Sequence, residues 1–169
     1  PDLFRFMNLH AGVDELDGLP IVNLSESPLH GWNILIKRVI DITFSAFFIV
    51  VSSPFLIFIS FMIKIDSKGS VIFRQERVGL DGKKFNLLKF RSMQVGAEVI
   101  TGPVWASKGD NRTTRFGSFL RKMSIDELPQ LFNVFVGEMS LVGPRPERSV
   151  FVEDFKKTIP KYMLRLKMK

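Results

Sequence analysis

A chain of 169 residues with 24 Lys and Arg against 17 Asp and Glu carries a net charge of +7, which calls for an anionic partner: nucleic acid, an anionic membrane surface or a phosphorylated small molecule. It has no Cys and only two His, His10 and His30, so disulfides and thiolate metal sites are excluded, and a histidine zinc site or a Ser-His-Asp triad is disfavoured. Any metal is expected to be a hard ion held by carboxylates.

Hydrophobic residues make up 46% of the chain and the mean hydropathy is +0.14, but the excess sits in one stretch. No basic-then-apolar leader opens the sequence, so no cleavable signal peptide is expected. Residues 1 to 30 read as a polar approach punctuated by Pro and Gly. Asp14, Glu15 and Asp17 precede Gly18-Leu19-Pro20, a short apolar Ile21-Val22 and a loop from Asn23 to Pro28. This part carries no nameable chemistry and is expected to be the tail of a preceding N-terminal region.

Residues 31–66 form the next unit. Positions 42–63 contain 22 consecutive uncharged residues, enough to cross a hydrocarbon core of about 30 Å as a helix. Two features favour a re-entrant helix-break-helix over a plain span. Ser52-Ser53-Pro54 sits mid-segment, where proline removes a backbone bond and serine hydroxyls re-satisfy a freed carbonyl. The flanks are alike, with Lys37-Arg38 before and Lys64 and Lys68 after, which suits entry and exit by the same face. Asp41 is expected either to pair with Arg38 or Lys37 or to be a solvated charge at headgroup level.

Residues 67–149 read as a folded core. Val71-Ile72-Phe73 and Phe85-Asn86-Leu87-Leu88 flank Gly79 and Asp81-Gly82, a β-hairpin decorated by Arg74, Gln75, Arg77, Lys83, Lys84, Lys89 and Arg91. Following a membrane segment, some of these charges are expected to meet lipid phosphates or a phosphorylated substrate. Residues 94–114 are loop-like. A short helix is expected over Arg115 to Met123, and another from Ser124–Asp126 to about Val136, stopped by Gly137. Residues 150–169 read as a basic amphipathic segment interrupted at Pro160.

The chemistry concentrates in Arg121-Lys-Met-Ser-Ile-Asp126-Glu127-Leu-Pro129-Gln130. Ser124 and Glu127 have capping-box spacing, though Pro129 then falls awkwardly inside the helix. With Asp126 as cap, Pro129 sits harmlessly in the first turn. In either register two adjacent carboxylates lie at a helix N-terminus, which also attracts phosphate, and Arg121 stands ready to neutralise it. A surface ion-pair network would use the same residues. In Gly143-Pro144-Arg145-Pro146 two prolines stiffen the backbone around one guanidinium able to grip phosphate bidentately, unless the arginine is merely solvated.

Taken in order, Lys37-Arg38-x-x-Asp41, Ser53-Pro54, Gln75-x-Arg77-x-Gly79-x-x-Gly82, Lys89-Phe90-Arg91-Ser92-Met93, Arg121-x-x-Ser-x-Asp126-Glu127-Leu-Pro-Gln-Leu-x-Asn133-Val and Met139-Ser-Leu-Val-Gly-Pro-Arg145-Pro146 resemble the monotopic phosphoglycosyl transferases, or bacterial sugar transferases, over roughly residues 33 to 169. The resemblance implies an α+β protein with a re-entrant membrane helix broken at Ser53-Pro54 and a small cytosolic α/β catalytic core containing the hairpin. It implies transfer of a sugar-1-phosphate from a UDP-sugar to a polyprenyl (undecaprenyl) phosphate with release of UMP, at the start of exopolysaccharide or other glycan assembly.

By position, Asp126 matches the nucleophile that becomes an aspartyl-phosphosugar. Glu127 matches its partner, assigned to magnesium handling or to activating the lipid phosphate. Arg121 and Arg145 match phosphate-contacting positions, and Lys89, Arg91, Gln75 and Arg77 are carried with them as substrate-binding candidates. Mg2+ on Asp126 and Glu127 is the implied cofactor. UDP-sugar, polyprenyl phosphate and membrane lipid are the implied partners, with nucleic acid excluded and homo-oligomerisation open. The implied location is the inner membrane, catalytic part toward the cytoplasm. Family members continue past this point into a Gly- and aromatic-rich portion, so a truncated chain is expected. The competing expectation is a non-catalytic membrane-anchoring module that binds anionic lipid through its basic hairpin and C-terminal segment.

Overall fold

The computed structural model describes residues 11–16, 19–24, 31–97, 111–159, 162 and 166. Near the start, β1 (Ala11–Leu16) and β2 (Leu19–Leu24) pair antiparallel in the register Ala11↔Leu24 to Leu16↔Leu19. The polar approach read from the sequence is therefore a hairpin. Its two strands are separated only by Asp17-Gly18, the dipeptide that favours a tight two-residue connection.

Helix α1 (Trp32–Asp66) is one element of 35 residues, about 52 Å at 1.5 Å per residue. Helical structure runs unbroken through Pro54, where a helix-break-helix was expected. Pro54 offers no N–H to the carbonyl of Val50. The Ser53 hydroxyl donates to that oxygen instead, at 2.8 Å, and Ser52 donates to the Phe48 carbonyl at 2.6 Å. Local serine chemistry thus replaces the bond that proline removes, and the helix continues.

Of the residues in α1 only Asp41, Ser45, Ile59 and Ile63 are buried. Phe44, Phe47, Val50, Val51, Ile57, Phe58 and Phe61 are all exposed, the composition of a surface facing lipid rather than water. The four buried positions form two pairs. Asp41 and Ile59 are 18 positions apart, as are Ser45 and Ile63, and 18 residues make five whole turns at 3.6 residues each. Both pairs therefore lie on one face of α1, about 27 Å apart.

The folded core begins with β3 (Ile72–Val78) and β4 (Lys84–Phe90), antiparallel in the register Ile72↔Phe90 to Val78↔Lys84 around a 3-10 turn at Leu80–Gly82. Helix α2 (Arg115–Lys122) follows, capped by Thr114, whose hydroxyl accepts from Gly117 N at 2.9 Å. A 3-10 turn over Ile125–Glu127 leads to α3 (Gln130–Val136), and α4 (Ser149–Thr158) lies toward the end. Pro160, where the sequence suggested an interruption, lies outside the described residues.

One apolar cluster joins Ile59 and Ile63 of α1 to Phe90 of β4 and Leu120 of α2, with Leu56, Val71, Ile72, Phe116 and Ile125 around them. A second joins Val78, Val152, Tyr162 and Leu166, with Phe155 beside them. The other buried pair of α1 meets α3. Arg38 donates to the Val134 and Phe135 carbonyls, both at 2.8 Å, placing a cation at the negative end of α3. Gly137 ends that helix at φ 101°, and a Cβ there would come within 3.0 Å of the Arg38 guanidinium. Asp41 is buried, pairs with Lys37 at 3.5 Å and accepts from Leu141 N at 3.1 Å, which decides between the two expectations for it.

Asn133, fully buried on α3, closes the free edge of β4. Its Oδ1 accepts from Leu88 N at 2.9 Å, and its Nδ2 donates to the Asn86 carbonyl at 2.8 Å and to Glu138 at 2.6 Å. One side-chain amide thus does the work of a third strand. Asn133→Leu keeps the volume but removes three part-buried hydrogen bonds, each worth about 0.5–1.5 kcal/mol. A loss of about 2–4 kcal/mol in thermal or denaturant unfolding is expected, with shape-matched Asn133→Asp also destabilised by repulsion from Glu138.

Candidate active site

The turn that carries Asp126 and Glu127 is set up by Ser124, a non-glycine residue held at φ 56°, ψ 19°. A left-handed serine is a costly conformation, of the sort that clusters where a side chain must be aimed. Ser124 makes no side-chain cap bond, and the Glu127 side chain does not reach back to it. Pro129 lies before the first residue of α3. Neither helix-cap register read from the sequence is formed; the backbone instead turns the two carboxylates outward from a 3-10 turn.

The two then face different spaces. Asp126, buried, lines a cavity of 720 Å³ between the hairpin, the exit of β4, α2 and the start of α4. Lys89, Arg121, Arg77, Arg112, Arg145 and Arg148 line the same cavity. Glu127 lines a separate cleft of 210 Å³ on the other side of the Gly143–Pro146 loop. Glu127 Oε1 accepts from Lys89 Nζ at 3.0 Å and from Arg145 Nη2, so the glutamate stands as a strut between β4 and the loop.

These surroundings split the two acids electrostatically. Burial pushes the Asp126 carboxyl above the usual aspartate value, with Glu127 adding to the rise and Lys89 and Arg121 opposing it. Burial also acts upward on Glu127, but the hydrogen bond and charge of Lys89, together with Arg145, outweigh it and hold that carboxyl below the ordinary value. In the fold, desolvation of Asp126 outweighs the neighbouring cations. A pair of acids driven apart in this way makes the turn a candidate site.

Among known proteins, the family model described as bacterial sugar transferase matches residues 32–169. The chain belongs to the bacterial sugar transferase family. A Klebsiella pneumoniae protein named UDP-glucose:undecaprenyl-phosphate glucose-1-phosphate transferase is 47% identical over all of this chain and 36% of its own length. The Escherichia coli (strain K12) protein of the same name is 45% identical, again over 100% of this chain and 36% of its own. A Bacillus subtilis (strain 168) protein, provisionally named an undecaprenyl-phosphate N-acetylgalactosaminyl 1-phosphate transferase, is 50% identical over 78% of this chain and 73% of its own. The chain thus spans about a third of the first two relatives.

The remaining candidates of this sugar-transferase chain fall into two groups. Lys89, Arg121 and Arg145 converge with Asp126 on the large cavity, Arg121 being held by its Nε bond to Ser92 Oγ at 2.9 Å. Gln75, Arg77 and Arg91 also line it, but most of the bonds they make are to the protein itself. Arg77 donates through Nε and Nη2 to Gln75 Oε1, and through Nη1 to the Pro146 carbonyl at 3.1 Å and to Glu147 at 3.4 Å. It therefore steadies the loop that carries Arg145. Arg91, buried, donates to the Ser67 and Lys68 carbonyls at 2.7 and 3.1 Å and ties the end of α1 to β4.

Ser53 and Pro54 lie mid-helix in α1, within the exposed apolar stretch. Arg112 and Arg148 were missed. The signal for Arg148 was its place just beyond the rigid Pro-Arg-Pro, whereas Arg112 in a polar turn offered none.

For magnesium, the donors are the right kind: two adjacent carboxylates plus substrate phosphate oxygens form the oxygen set that this ion takes, usually with one or two protein ligands. Among the described residues no group of three or more His, Cys, Asp or Glu assembles, so the protein alone would not complete a shell.

Proposed function

We propose that this chain forms the catalytic part of an enzyme that transfers a sugar-1-phosphate from a UDP-sugar to undecaprenyl phosphate and releases UMP, at the start of exopolysaccharide or related glycan assembly. The observation that carries the reading is a buried carboxylate, Asp126, facing a nucleotide-sized cavity whose polar lining is dominated by arginines and a lysine. The relatives' names supply the substrate class.

The chemistry follows from the placement. An oxygen of ionised Asp126 attacks the β-phosphorus; the bond to the α-phosphate oxygen breaks, and UMP leaves with its electron pair. A polyprenyl phosphate oxygen then attacks the same phosphorus, the aspartyl bond breaks, and the carboxylate is restored. Arg121 and Arg145 draw charge from the phosphoryl oxygens, which is most of what phosphoryl transfer demands. Lys89 and Arg145 keep Glu127 ionised beside the reacting centre. Magnesium, held by Asp126 and Glu127 with the diphosphate, would offset further phosphate charge.

The membrane geometry fits a re-entrant path. The two ends of the apolar segment of α1 are both fastened to the folded core, at α3 through Arg38 and Asp41 and at α2 through Ile59 and Ile63. A helix so held has both ends on one side of the bilayer, the cytoplasmic face of the inner membrane by the basic residues flanking it.

The test is UMP release from UDP-glucose, UDP-galactose and UDP-N-acetylgalactosamine by the protein in its membrane, with Mg2+ and undecaprenyl phosphate. Lipid-dependent release is expected from at least one donor. No release from any, with vesicle binding intact, would leave an anchoring module in its place.

A further inference from the structure

The smaller cleft, behind the Glu127–Arg145 strut, has no part in the phosphate chemistry above. It is bounded by the Gly79-Leu80 turn, the start of α3 and the Gly143–Pro146 loop, with Tyr162 and Leu166 across from them. Two of its lining side chains are unusual. Tyr162 is buried, and its hydroxyl has no hydrogen-bond partner among the described residues; the Gln130 Nε2 is likewise buried and unpaired among them. Unmade bonds at buried polar groups cost free energy and are rare without a reason.

Charge says what would satisfy them. The large cavity gathers cations, but in the cleft Arg145 is the only lysine or arginine among the described lining residues, beside the carboxylates of Glu127, Glu138 and Glu147. Such a place repels a phosphate and suits a neutral ligand rich in hydroxyl groups. At 210 Å³ it has room for one sugar ring. Arg145 and Glu127 border it directly, so a group attached to a phosphate gripped by Arg145 enters it without leaving the reacting centre.

We propose that this cleft receives the hexose ring of the donor and that Tyr162 and Gln130 are its specificity-determining residues, reading ring hydroxyl or acetamido groups. The assignment rests on the transferase reading and deepens it: uridine diphosphate lies in the cationic cavity, the sugar beyond the strut. Neither polar atom is open to water in the free protein, so binding includes a small rotation of these side chains into the cleft. Relatives named for different sugars, glucose in one and N-acetylgalactosamine in another, make such a compartment necessary somewhere in the fold.

The experiment compares wild type with Tyr162→Phe and Gln130→Leu in membranes, measuring kcat/KM for the three UDP-sugars, inhibition by UMP, which has no sugar, and Tm. Because neither atom bonds to a described residue, both variants should melt no lower than wild type. Each should lose about three- to tenfold in kcat/KM for the preferred donor, the worth of one neutral hydrogen bond, and discriminate less between donors. UMP inhibition should not change. Equal losses for all donors, a parallel weakening of UMP, or an effect confined to the KM for undecaprenyl phosphate would each overturn the assignment. Wild type that releases no UMP from any donor would instead sink the transferase reading on which it rests.

Discussion

Asp126→Asn is expected to abolish UMP release, by at least about a thousandfold, in a protein that is no less stable than wild type. The two halves of this result have one cause. Burial makes the charged carboxylate expensive in the fold and raises its pKa. A neutral amide of the same shape escapes that cost but cannot form the covalent intermediate. The pH dependence follows with a definite sign. Below the ordinary aspartate value the side chain is protonated, folded or unfolded, and does not weigh against folding. As pH rises through the window from that value to the raised folded one, the fold loses stability relative to the Asn variant. Activity moves the other way, since the ionised form reacts, and its acid limb should lie above the pH at which an ordinary aspartate titrates. Paired melting curves and UMP release across about pH 3 to 8, a range that starts below the ordinary aspartate pKa, check both. An Asn variant retaining substantial turnover would remove Asp126 from the chemistry.

The second large effect is expected from Gly117→Ala. A Cβ at this position would sit 2.1 Å from the Ser92 carbonyl oxygen and 2.6 Å from its carbon, both backbone atoms with no rotamer to yield. Helix α2 would have to withdraw from the exit of β4, breaking the Thr114 N to Ser92 O bond of 3.2 Å and the Arg121 to Ser92 bond of 2.9 Å. Overpacking of this kind costs about 1–3 kcal/mol or more, and here it also moves a cation out of the cavity. A lowered Tm with a rise in KM for the UDP-sugar is expected, and addition of Arg121→Ala should then cost little more in KM. A variant with wild-type Tm would show that α2 does not pack as closely as described.

Much of this was legible in the sequence because it is local. The β3–β4 hairpin was marked by Asp81-Gly82 between β-rich runs, α2 by its apolar spacing, and the end of α3 by Gly137. The β1–β2 hairpin was passed over because acidic residues masked the Asp17-Gly18 signal. Asp126 and Glu127 were found as a pair, but their division between two compartments depends on Ser124 adopting a left-handed backbone, which no propensity foretells. Likewise the supporting duties of Arg77 and Arg91 are set by carbonyls in other segments, Pro146 for one and Ser67 and Lys68 for the other. A basic residue on a strand reads the same whether it grips a ligand or a backbone. The role of Asn133 depends on α3 crossing the edge of β4, a long-range fact that composition does not encode.

The five-turn spacing of the buried positions on α1 makes the membrane segment a fixed-length part. One residue inserted between Ser45 and Ile59 would rotate everything beyond it by about 100°, turning Ile59 and Ile63 away from Phe90 and Leu120 while Arg38 and Asp41 stay engaged. The apolar stretch is therefore free to vary in composition, as lipid-facing surfaces are, yet is restricted in length to steps that return the same face. Bilayer thickness cannot be met here by adding or dropping a residue. On the membrane placement proposed above, the depth of the cavity beneath the headgroups is thereby built into the chain itself.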